Sequence, residues 1–298
     1  MEFPRLVWGS KKQHDHTFKA ALFYRLSKLA YRLAPQFLTR LVRVKGFAVK
    51  PFRLSLKQRA LQQQARTFTL EFESNQIKVF EWGSGPVIVL VHGWGGRALQ
   101  LDAFVPALLQ QGYRVVAFDH KGHGESSSRC SSYLEIIRGT QRVFEHYAQD
   151  LLGVVAHSIG ANATFKVSEQ FERGLKLAVV APMEHFPQWL EKMRSKLGIY
   201  EVLFAHVIAS LEADTGLSLA QQCQLDFARL KRHEVLLVHD KLDRINHFSA
   251  SQEIHQNLPG SQLLPTEMLG HARILANAAV VERVAAHFSA PANTSQQL

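Results

Sequence analysis

The sequence predicts a protein of the α/β class, built on a doubly wound and mostly parallel sheet, and three observations support this prediction. Short runs of Val, Ile and Leu recur along the chain, as is typical of strands that are buried on both faces. Amphipathic segments of helical length separate these runs. Glycines and prolines mark the boundaries between them. Because strands that alternate with helices are joined by right-handed crossovers, the pattern favours a parallel sheet with helices on both faces.

The strand patterns begin at residue 67 and form a series of eight segments. The first two, at residues 67–72 and 77–82, are separated by a Ser-Asn turn and are expected to form an antiparallel edge. The other six follow at residues 87–91, 114–118, 151–156, 177–180, 235–238 and 262–267. Helical patterns lie among them at residues 99–111, 135–148, 159–171, 249–257 and 273–288.

The alternation stops between Pro182 and about Leu230, where residues 189–197 and 200–211 have helical patterns and no strong strand pattern is present. This gap predicts a short helical cap at about residues 183–230. The cap interrupts a main domain of residues 67–288, and residues 289–298 form a polar tail.

The composition is that of a globular protein, with 46% apolar and 20% charged residues in 298, which excludes a mainly disordered chain. The net charge of +10 is unevenly distributed. Residues 1–66 contain 15 Lys and Arg against two acidic residues, whereas the rest of the chain contains 20 against 23. Cys130 and Cys223 have no CxxC partner, so neither a disulfide framework nor a zinc site is indicated, and a cytoplasmic protein with reduced thiols is expected.

Residues 1–66 are predicted to form a basic helical extension. Residues 17–34 carry leucines at helical spacing beside basic residues, and a second short helix is expected at residues 37–44. The recurring charges exclude a signal peptide and a membrane span. Two interpretations are equally supported. Either the leucine stripe packs on the body of the protein, or residues 17–44 bind an anionic membrane surface, which would place the protein at the inner face of the membrane. Nucleic-acid binding is disfavoured because no recognition motif accompanies the charge.

The most specific motif surrounds Ser158, where a buried strand is followed directly by a helix. Small residues flank the serine at Ala156, Gly160 and Ala161. A sharp strand-to-helix turn needs small neighbours, and it exposes the serine hydroxyl at the carboxyl edge of the sheet. The turn therefore predicts a nucleophile at the N-terminus of a helix.

Two further turns follow strands of the same sheet. The turn His92-Gly93-Trp94-Gly95-Gly96 can direct backbone N–H groups at a substrate, and the N–H groups of Trp94 and Ile159 would form an oxyanion hole. The second turn runs from Asp119 to Ser126 and is expected to border the site as a structural element. Its histidines have no carboxylate or cysteine partner at metal-binding spacing, so no metal is predicted.

Together, His92-Gly93, Asp119-x-x-Gly122-x-Gly124-x-Ser126, His157-Ser158-x-Gly160 and Gly270-His271 resemble the α/β-hydrolase fold superfamily. Within it, the chain looks like bacterial single-domain serine hydrolases of unassigned substrate that carry a basic N-terminal extension. The resemblance covers about residues 67–288 and implies an eight-stranded sheet and a triad in the chain order Ser, acid, His. The chain departs from the usual pattern at Ala156 and at His239, where glycine is common.

The resemblance implies that Asp243 is the acid and His271 the base. Asp243 follows the strand after the cap, and Asp240 and Glu184 are alternatives for the acid. His271 lies between the last strand and the last helix. His157, although adjacent to the nucleophile, is interpreted as a packing or hydrogen-bonding residue.

These residues predict a serine hydrolase that cleaves a carboxylic ester or thioester through an acyl-enzyme on Ser158. A serine in this position argues against the dehalogenase and epoxide-hydrolase branches, which use a carboxylate there. No metal or diffusible organic cofactor is required. Two alternatives remain open: an acyltransferase of the same fold, and a non-catalytic module that docks through the basic extension.

Overall fold

A computed structural model describes residues 11–50, 52–184, 186–213 and 216–289. The described residues form two compact units. The smaller unit lies within Met1–Phe47 and His185–Gln222, and the larger unit lies within Ala48–Glu184 and Cys223–Leu298. Both cysteines, Cys130 and Cys223, are free thiols. No helix in the described ranges has the length and apolarity that crossing a membrane requires.

The larger unit contains the predicted eight-stranded sheet. Its strands are β1 (Arg66–Phe72), β2 (Asn75–Trp82), β3 (Val87–Val91), β4 (Arg114–Phe118), β5 (Leu151–His157), β6 (Lys176–Val180), β7 (Glu234–Asp240) and β8 (Gln262–Thr266). They lie in the order β1-β2-β4-β3-β5-β6-β7-β8. The first two strands form an antiparallel hairpin at one edge, as predicted, and β2 is also antiparallel to β4, while every other pairing is parallel.

The centre of the sheet is buried on both faces, which explains its continuous apolar runs. All five residues of β3 are buried, and β3 pairs with β4 on one side and with β5 on the other. Because β3, β4, β5, β6, β7 and β8 are parallel, the loops that follow them emerge at the same edge. The predicted site residues lie in these loops or at the start of the helices that follow them.

The helices of the chain comprise thirteen α-helical segments in the described ranges: α1 (Lys11–Leu33), α2 (Pro35–Gly46), α3 (Leu56–Gln63), α4 (Phe104–Gln110), α5 (Tyr133–His146), α6 (Ile159–Ser168), α7 (Phe186–Leu197), α8 (Glu201–Ala213), α9 (Leu219–Cys223), α10 (Phe227–Leu230), α11 (Ser249–Asn257), α12 (Gly270–Arg273) and α13 (Ala278–Phe288).

Two helices differ from the sequence prediction. The segment at residues 99–111 is a 3₁₀ turn, Ala98–Leu101, followed by α4, because Pro106 has no N–H and clashes with a helical carbonyl four residues earlier. The segment at residues 273–288 is divided into α12, a 3₁₀ turn and α13. Asn277 starts the last helix by accepting a hydrogen bond from the N–H of Val280 at 3.2 Å.

The smaller unit combines α1 and α2 with α7 and α8, so it contains part of the predicted extension and most of the predicted cap. A small apolar cluster of Ile199, Leu203 and Val207 lies at its centre, with Leu38 and Val42 packed against it. The predicted boundaries at residues 66 and 230 do not coincide with the boundaries of the units. In the larger unit, α3 follows Ser55, which caps it, and the Trp82 indole N–H donates to the Leu61 carbonyl at 2.9 Å.

Candidate active site

Ser158 lies between β5 and α6 with φ of 55° and ψ of −128°, a left-handed conformation that is strained for a residue with a side chain. Its N–H donates to the Val180 carbonyl at 3.1 Å, which holds the turn against β6. A Cβ atom on Gly160 would lie 2.4 Å from the His92 carbonyl oxygen, so only glycine allows α6 to approach β3 this closely.

The glycine-rich turn after β3 packs directly against this serine. A Cβ atom on Gly93 would lie 3.0 Å from Ser158 Cβ, so a side chain at position 93 would crowd the serine. Trp94 follows Gly93 in this turn. Ile159 is the first residue of α6, and its N–H therefore has no acceptor within the helix. Both residues predicted as oxyanion donors thus adjoin the point of contact between the turn and the serine.

Asp243 and His271 form a hydrogen bond, with 2.7 Å between Asp243 Oδ2 and His271 Nδ1. Asp243 lies in the loop after β7, and its other oxygen accepts N–H groups from Ile245 at 2.7 Å and Asn246 at 3.1 Å. Burial alone would raise the Asp243 pKa. Hydrogen bonds from His239, His271 and the Ile245 backbone outweigh it and hold the pKa well below its usual value. The carboxylate therefore stays ionised and orients the imidazole.

The two alternative acids have other partners. Asp240 accepts N–H groups from Leu242 at 3.0 Å and Leu269 at 2.9 Å, and the Thr266 hydroxyl at 3.0 Å. Burial opposes ionisation of Asp240, but these hydrogen bonds lower its pKa and make it a loop-holding carboxylate. Glu184 accepts the Ser249 hydroxyl at 3.2 Å.

Asn246 is a site residue that the sequence analysis missed. Its side-chain N–H₂ group donates to Ser158 Oγ at 3.3 Å and to the Ala181 carbonyl at 2.9 Å, and the residue is almost fully buried. The backbone carbonyl of Asn246 accepts a hydrogen bond from His239 Nε2 at 3.1 Å, and the same nitrogen lies 3.5 Å from Asp243 Oδ2. The only signal in the sequence was His239 itself, which stands where glycine is common.

The described residues contain no hydrogen bond between Ser158 and His271. The partner of the Ser158 hydroxyl is Asn246. Asn246 Nδ2 is a donor, so Oγ accepts from it and keeps its own proton available. His157 Nε2 donates to the His271 carbonyl at 3.1 Å, in line with the interpretation of His157 as a hydrogen-bonding residue. Burial lowers the His157 pKa to about 3, so its ring is neutral.

Three more buried histidines form what we call the histidine cluster: His92, His120 and His123. The His120 N–H donates to His92 Nε2 at 3.0 Å, and the Gly95 N–H donates to His123 Nε2 at 3.1 Å. Burial lowers the pKa of His120 to about 3, that of His123 to about 4, and that of His92 well below its usual value. The cluster therefore organises the turns after β3 and β4 as neutral rings. No group of metal-binding side chains occurs in the part of the chain that the structure describes.

Asp119 fixes the second predicted turn. Its buried carboxylate accepts the N–H groups of Ala98 and Glu125, both at 2.7 Å. A Cβ atom on Gly124 would lie 1.9 Å from this carboxylate, so the turn requires glycine there. The turn has the structural role that the sequence predicted.

A groove of about 510 Å³ lies beside His271. Its lining is mostly apolar and includes Leu242, Ile245, Met268 and Leu269, with Arg244 also contributing. Leu242, Ile245 and Met268 are all exposed. The groove could receive an apolar part of a substrate next to the imidazole.

A doubly wound sheet of this strand order, with a strained serine between β5 and α6, is the arrangement of the α/β-hydrolase fold, and the chain has this fold. The family model described as serine aminopeptidase, S33, matches residues 84–214.

Among curated relatives, the non-heme haloperoxidase of Rhodococcus erythropolis is 36% identical over 90 residues, which is 30% of each chain. Epoxide hydrolase B of Mycobacterium tuberculosis is 35% identical over 81 residues, covering 26% of this chain and 23% of the relative. The chain thus matches less than a third of the length of these relatives.

Solved structures extend the similarity over most of the chain. The thioesterase domain from the curacin biosynthetic pathway is 22% identical with a TM-score of 0.55, and the match covers 75% of this chain and 98% of that domain. An esterase of Pyrococcus furiosus is 16% identical with a TM-score of 0.59, covering 80% and 95%. At these identities the similarity establishes the fold.

Proposed function

We propose that this protein is a serine hydrolase that cleaves a carboxylic ester or thioester through an acyl-enzyme on Ser158. The observation that carries the proposal is the 2.7 Å contact between Asp243 and His271, in loops that emerge at the same sheet edge as the strained serine. Three segments from distant parts of the sequence, after β5, after β7 and in α12, would supply the nucleophile, the acid and the base in the chain order typical of this fold.

The contact with Asp243 determines the tautomer of His271. An ionised carboxylate can only accept, so Nδ1 of His271 carries the proton and Nε2 presents a lone pair. In the proposed reaction, Nε2 takes the proton of Ser158 as Oγ forms a bond to the substrate carbonyl carbon. Catalytic hydrogen bonds often form only in the substrate complex, so the resting Asn246 contact is compatible with this step.

The oxyanion of the tetrahedral intermediate would accept the N–H groups of Trp94 and Ile159. Collapse of the intermediate breaks the bond to the alcohol or thiol, which leaves with the proton from His271. A water molecule then attacks the acyl-enzyme, with His271 as base again, and releases the carboxylic acid and free Ser158. Asn246 would hold Oγ in place through both halves of the cycle.

The groove beside His271 supports a substrate with an apolar group near the ester or thioester bond. Its side chains Leu242, Ile245 and Met268 are exposed, so an aliphatic chain could bury their surface. Short to medium acyl esters are therefore suitable first substrates. Several curated relatives are epoxide hydrolases. The serine at position 158 argues against that chemistry here, because the epoxide-hydrolase branch uses a carboxylate nucleophile.

The proposal is tested with a fluorophosphonate probe on the full-length protein. We expect labelling of the wild type and none of Ser158→Ala. Ser168→Ala is a matched control, because Ser168 lies at the other end of α6, is fully buried, and its hydroxyl has no partner in the described chain. Absence of labelling in folded wild-type protein, or equal labelling of Ser158→Ala, would refute the proposal.

Substrate class is tested with esters and thioesters of graded acyl length, with Ser158→Ala as the blank. Added alcohols and thiols then compete with water for the acyl-enzyme. Formation of the free acid as the main product supports a hydrolase, whereas transfer to the added acceptor indicates an acyltransferase.

A further inference from the structure

Helix α1 has two opposite faces, and its leucine face is exposed. At 100° per residue, five large apolar side chains fall within a sector of about 80°. These residues are exposed by between 48% and 80%: Phe18, Leu22, Leu26, Leu29 and Leu33. Large apolar side chains in a continuous row are unusual on a free surface, because monomeric proteins bury most such area.

The opposite face of α1 is the one that packs, and it does so within the smaller unit. The Tyr24 hydroxyl donates to the Glu201 carboxylate at 2.9 Å, and the buried Ser27 hydroxyl accepts the Tyr200 N–H at 3.2 Å. Tyr31 OH lies 2.9 Å from His206 Nδ1. These contacts fix the rotation of α1, so the leucine face points away from the packed side.

Helix α2 repeats this arrangement. Leu38 and Val42 pack against the apolar cluster at the centre of the unit. Phe37, Leu41 and Val44 lie on another side of the helix and are exposed. We refer to these three residues and the five on α1 as the apolar face. Two consecutive helices therefore carry a row of exposed apolar side chains while each packs through a different side.

The charges around the apolar face have one sign. Residues 18–46 contain seven basic residues and no acidic one: Lys19, Arg25, Lys28, Arg32, Arg40, Arg43 and Lys45. Two copies of such a surface would repel each other, which argues against a dimer through this face. A nucleic acid would use the charge but not the apolar row.

A groove between α2 and α8 adds a polar site within the same unit. It has a volume of about 730 Å³, and its lining includes Arg40, Arg43, Thr39 and His206. Val44, a member of the apolar face, also lines it. Arginines beside an exposed apolar side chain are suited to a phosphate headgroup whose acyl chains lie on the apolar side.

We propose that the apolar face of α1 and α2 binds the surface of an anionic phospholipid bilayer. The helices would lie in the interface with their apolar side chains among the acyl chains and their basic side chains at the headgroups. Neither helix is long and apolar enough to span the bilayer. The basic side chains favour an anionic surface. The exposed apolar side chains favour a lipid surface over a soluble anion.

The test is cosedimentation of the full-length protein with phosphatidylglycerol-containing vesicles and with pure phosphatidylcholine vesicles. We expect binding to the anionic vesicles only, weakened by added salt because exposed charges are screened. Replacing Leu22, Leu26 and Leu29 by Gln should lower the partition coefficient at least tenfold. Since these side chains are exposed, the variant should fold normally, which circular dichroism checks.

Two matched controls separate the apolar and the basic contributions. Leu56, Leu197 and Leu217 are also exposed leucines, and their replacement by Gln should leave binding unchanged. Replacing Arg25, Arg32 and Arg40 by Gln should weaken binding by roughly a hundredfold, at about tenfold or less per charge. Replacing Lys57, Arg129 and Lys231 by Gln removes the same amount of charge and should have a much smaller effect on binding. The three residues of each variant are all exposed.

Several results would overturn the proposal. Wild-type protein that stays in the supernatant with anionic vesicles contradicts it, as does equal binding by the two leucine variants. A dimer that the Leu22, Leu26 and Leu29 changes dissociate would assign the face to a second copy. Salt-sensitive binding to DNA without binding to vesicles would assign it to nucleic acid. The Ser158→Ala variant should bind vesicles like the wild type, so a failure of the proposed activity leaves this test intact.

Discussion

Replacing Asp243 by Asn should abolish most of the activity by reversing the tautomer of His271. The backbone N–H groups of Ile245 and Asn246 both point at Asp243 Oδ1, so the amide oxygen of the substituted side chain would take that position. Its NH₂ group then faces His271 Nδ1, which must become an acceptor. The imidazole proton moves to Nε2, and this nitrogen can no longer take the Ser158 proton.

The expected loss is large because the base is removed and not merely misplaced. A tautomer change of this kind lowers kcat by about 10⁴-fold, equivalent to about 5.5 kcal/mol of transition-state stabilisation. KM should change little, since Asp243 is buried behind the imidazole.

Asp240→Asn is the matched control, because Asp240 has a similar set of donors but no contact with the imidazole. Its amide keeps the bonds from Thr266 and Leu269 and loses the bond from Leu242. We expect a cost of about 1–3 kcal/mol in the free energy of unfolding and less than about a tenfold change in kcat.

The assay is steady-state hydrolysis of an activated acyl ester, with urea unfolding of both variants. If Asp240→Asn lost activity while Asp243→Asn kept it, the assignment of the acid would be refuted. If both variants were fully active, the role of His271 as an oriented base would be wrong.

Three further perturbations test the site and its supports. Asn246→Leu should lower kcat about tenfold with little change in KM, and should lower the free energy of unfolding by about 1–3 kcal/mol. The control Asn162→Leu breaks a similar pair of hydrogen bonds to Met183, so it should reduce stability in urea and leave kcat unchanged. Gly160→Ala should destabilise by about 1–3 kcal/mol because its methyl group meets a backbone oxygen, while Gly139→Ala in α5 has room and should be neutral or stabilising in the same assay. The histidine cluster should make the protein less stable as the pH is lowered, because its folded pKa values lie below the unfolded value of 6.5 and the unfolded state therefore binds more protons. The free energy of unfolding measured in urea should fall by up to about 4 kcal/mol per pH unit below pH 6. A flat profile between pH 7 and 5 would contradict the neutral, buried cluster.

The sheet could be predicted because each strand carries its own signal. Residues of β3 are apolar on both faces, and the hairpin of β1 and β2 has a turn signal between alternating patterns. The breaks near Pro106 and Asn277 were missed because apolar spacing continues across them. A missing N–H or a capping side chain ends a helix locally without disturbing the periodicity that predicted it.

The contact between Asp243 and His271 has the partners that motif order indicated, whereas Asn246 could not have been found in this way. Its role depends on the path of the loop after β7, which returns to place an amide 3.3 Å from Ser158 Oγ. No motif spacing encodes that return. The histidine at position 239 offered an indirect signal, because a side chain in place of a common glycine must occupy space beside the acid.

The extension shows a different limit of sequence reasoning. Leucine periodicity in α1 identifies an apolar face, and the ordinary inference is that such a face packs against the protein. Here tyrosines and a serine form the packed side through hydrogen bonds, and the leucines remain exposed. Periodicity cannot distinguish these cases, because Tyr24 and Tyr31 can supply packing area as well as leucines can. The exposed leucines therefore motivate a partner outside the chain, and the vesicle experiment decides whether that partner is a lipid surface.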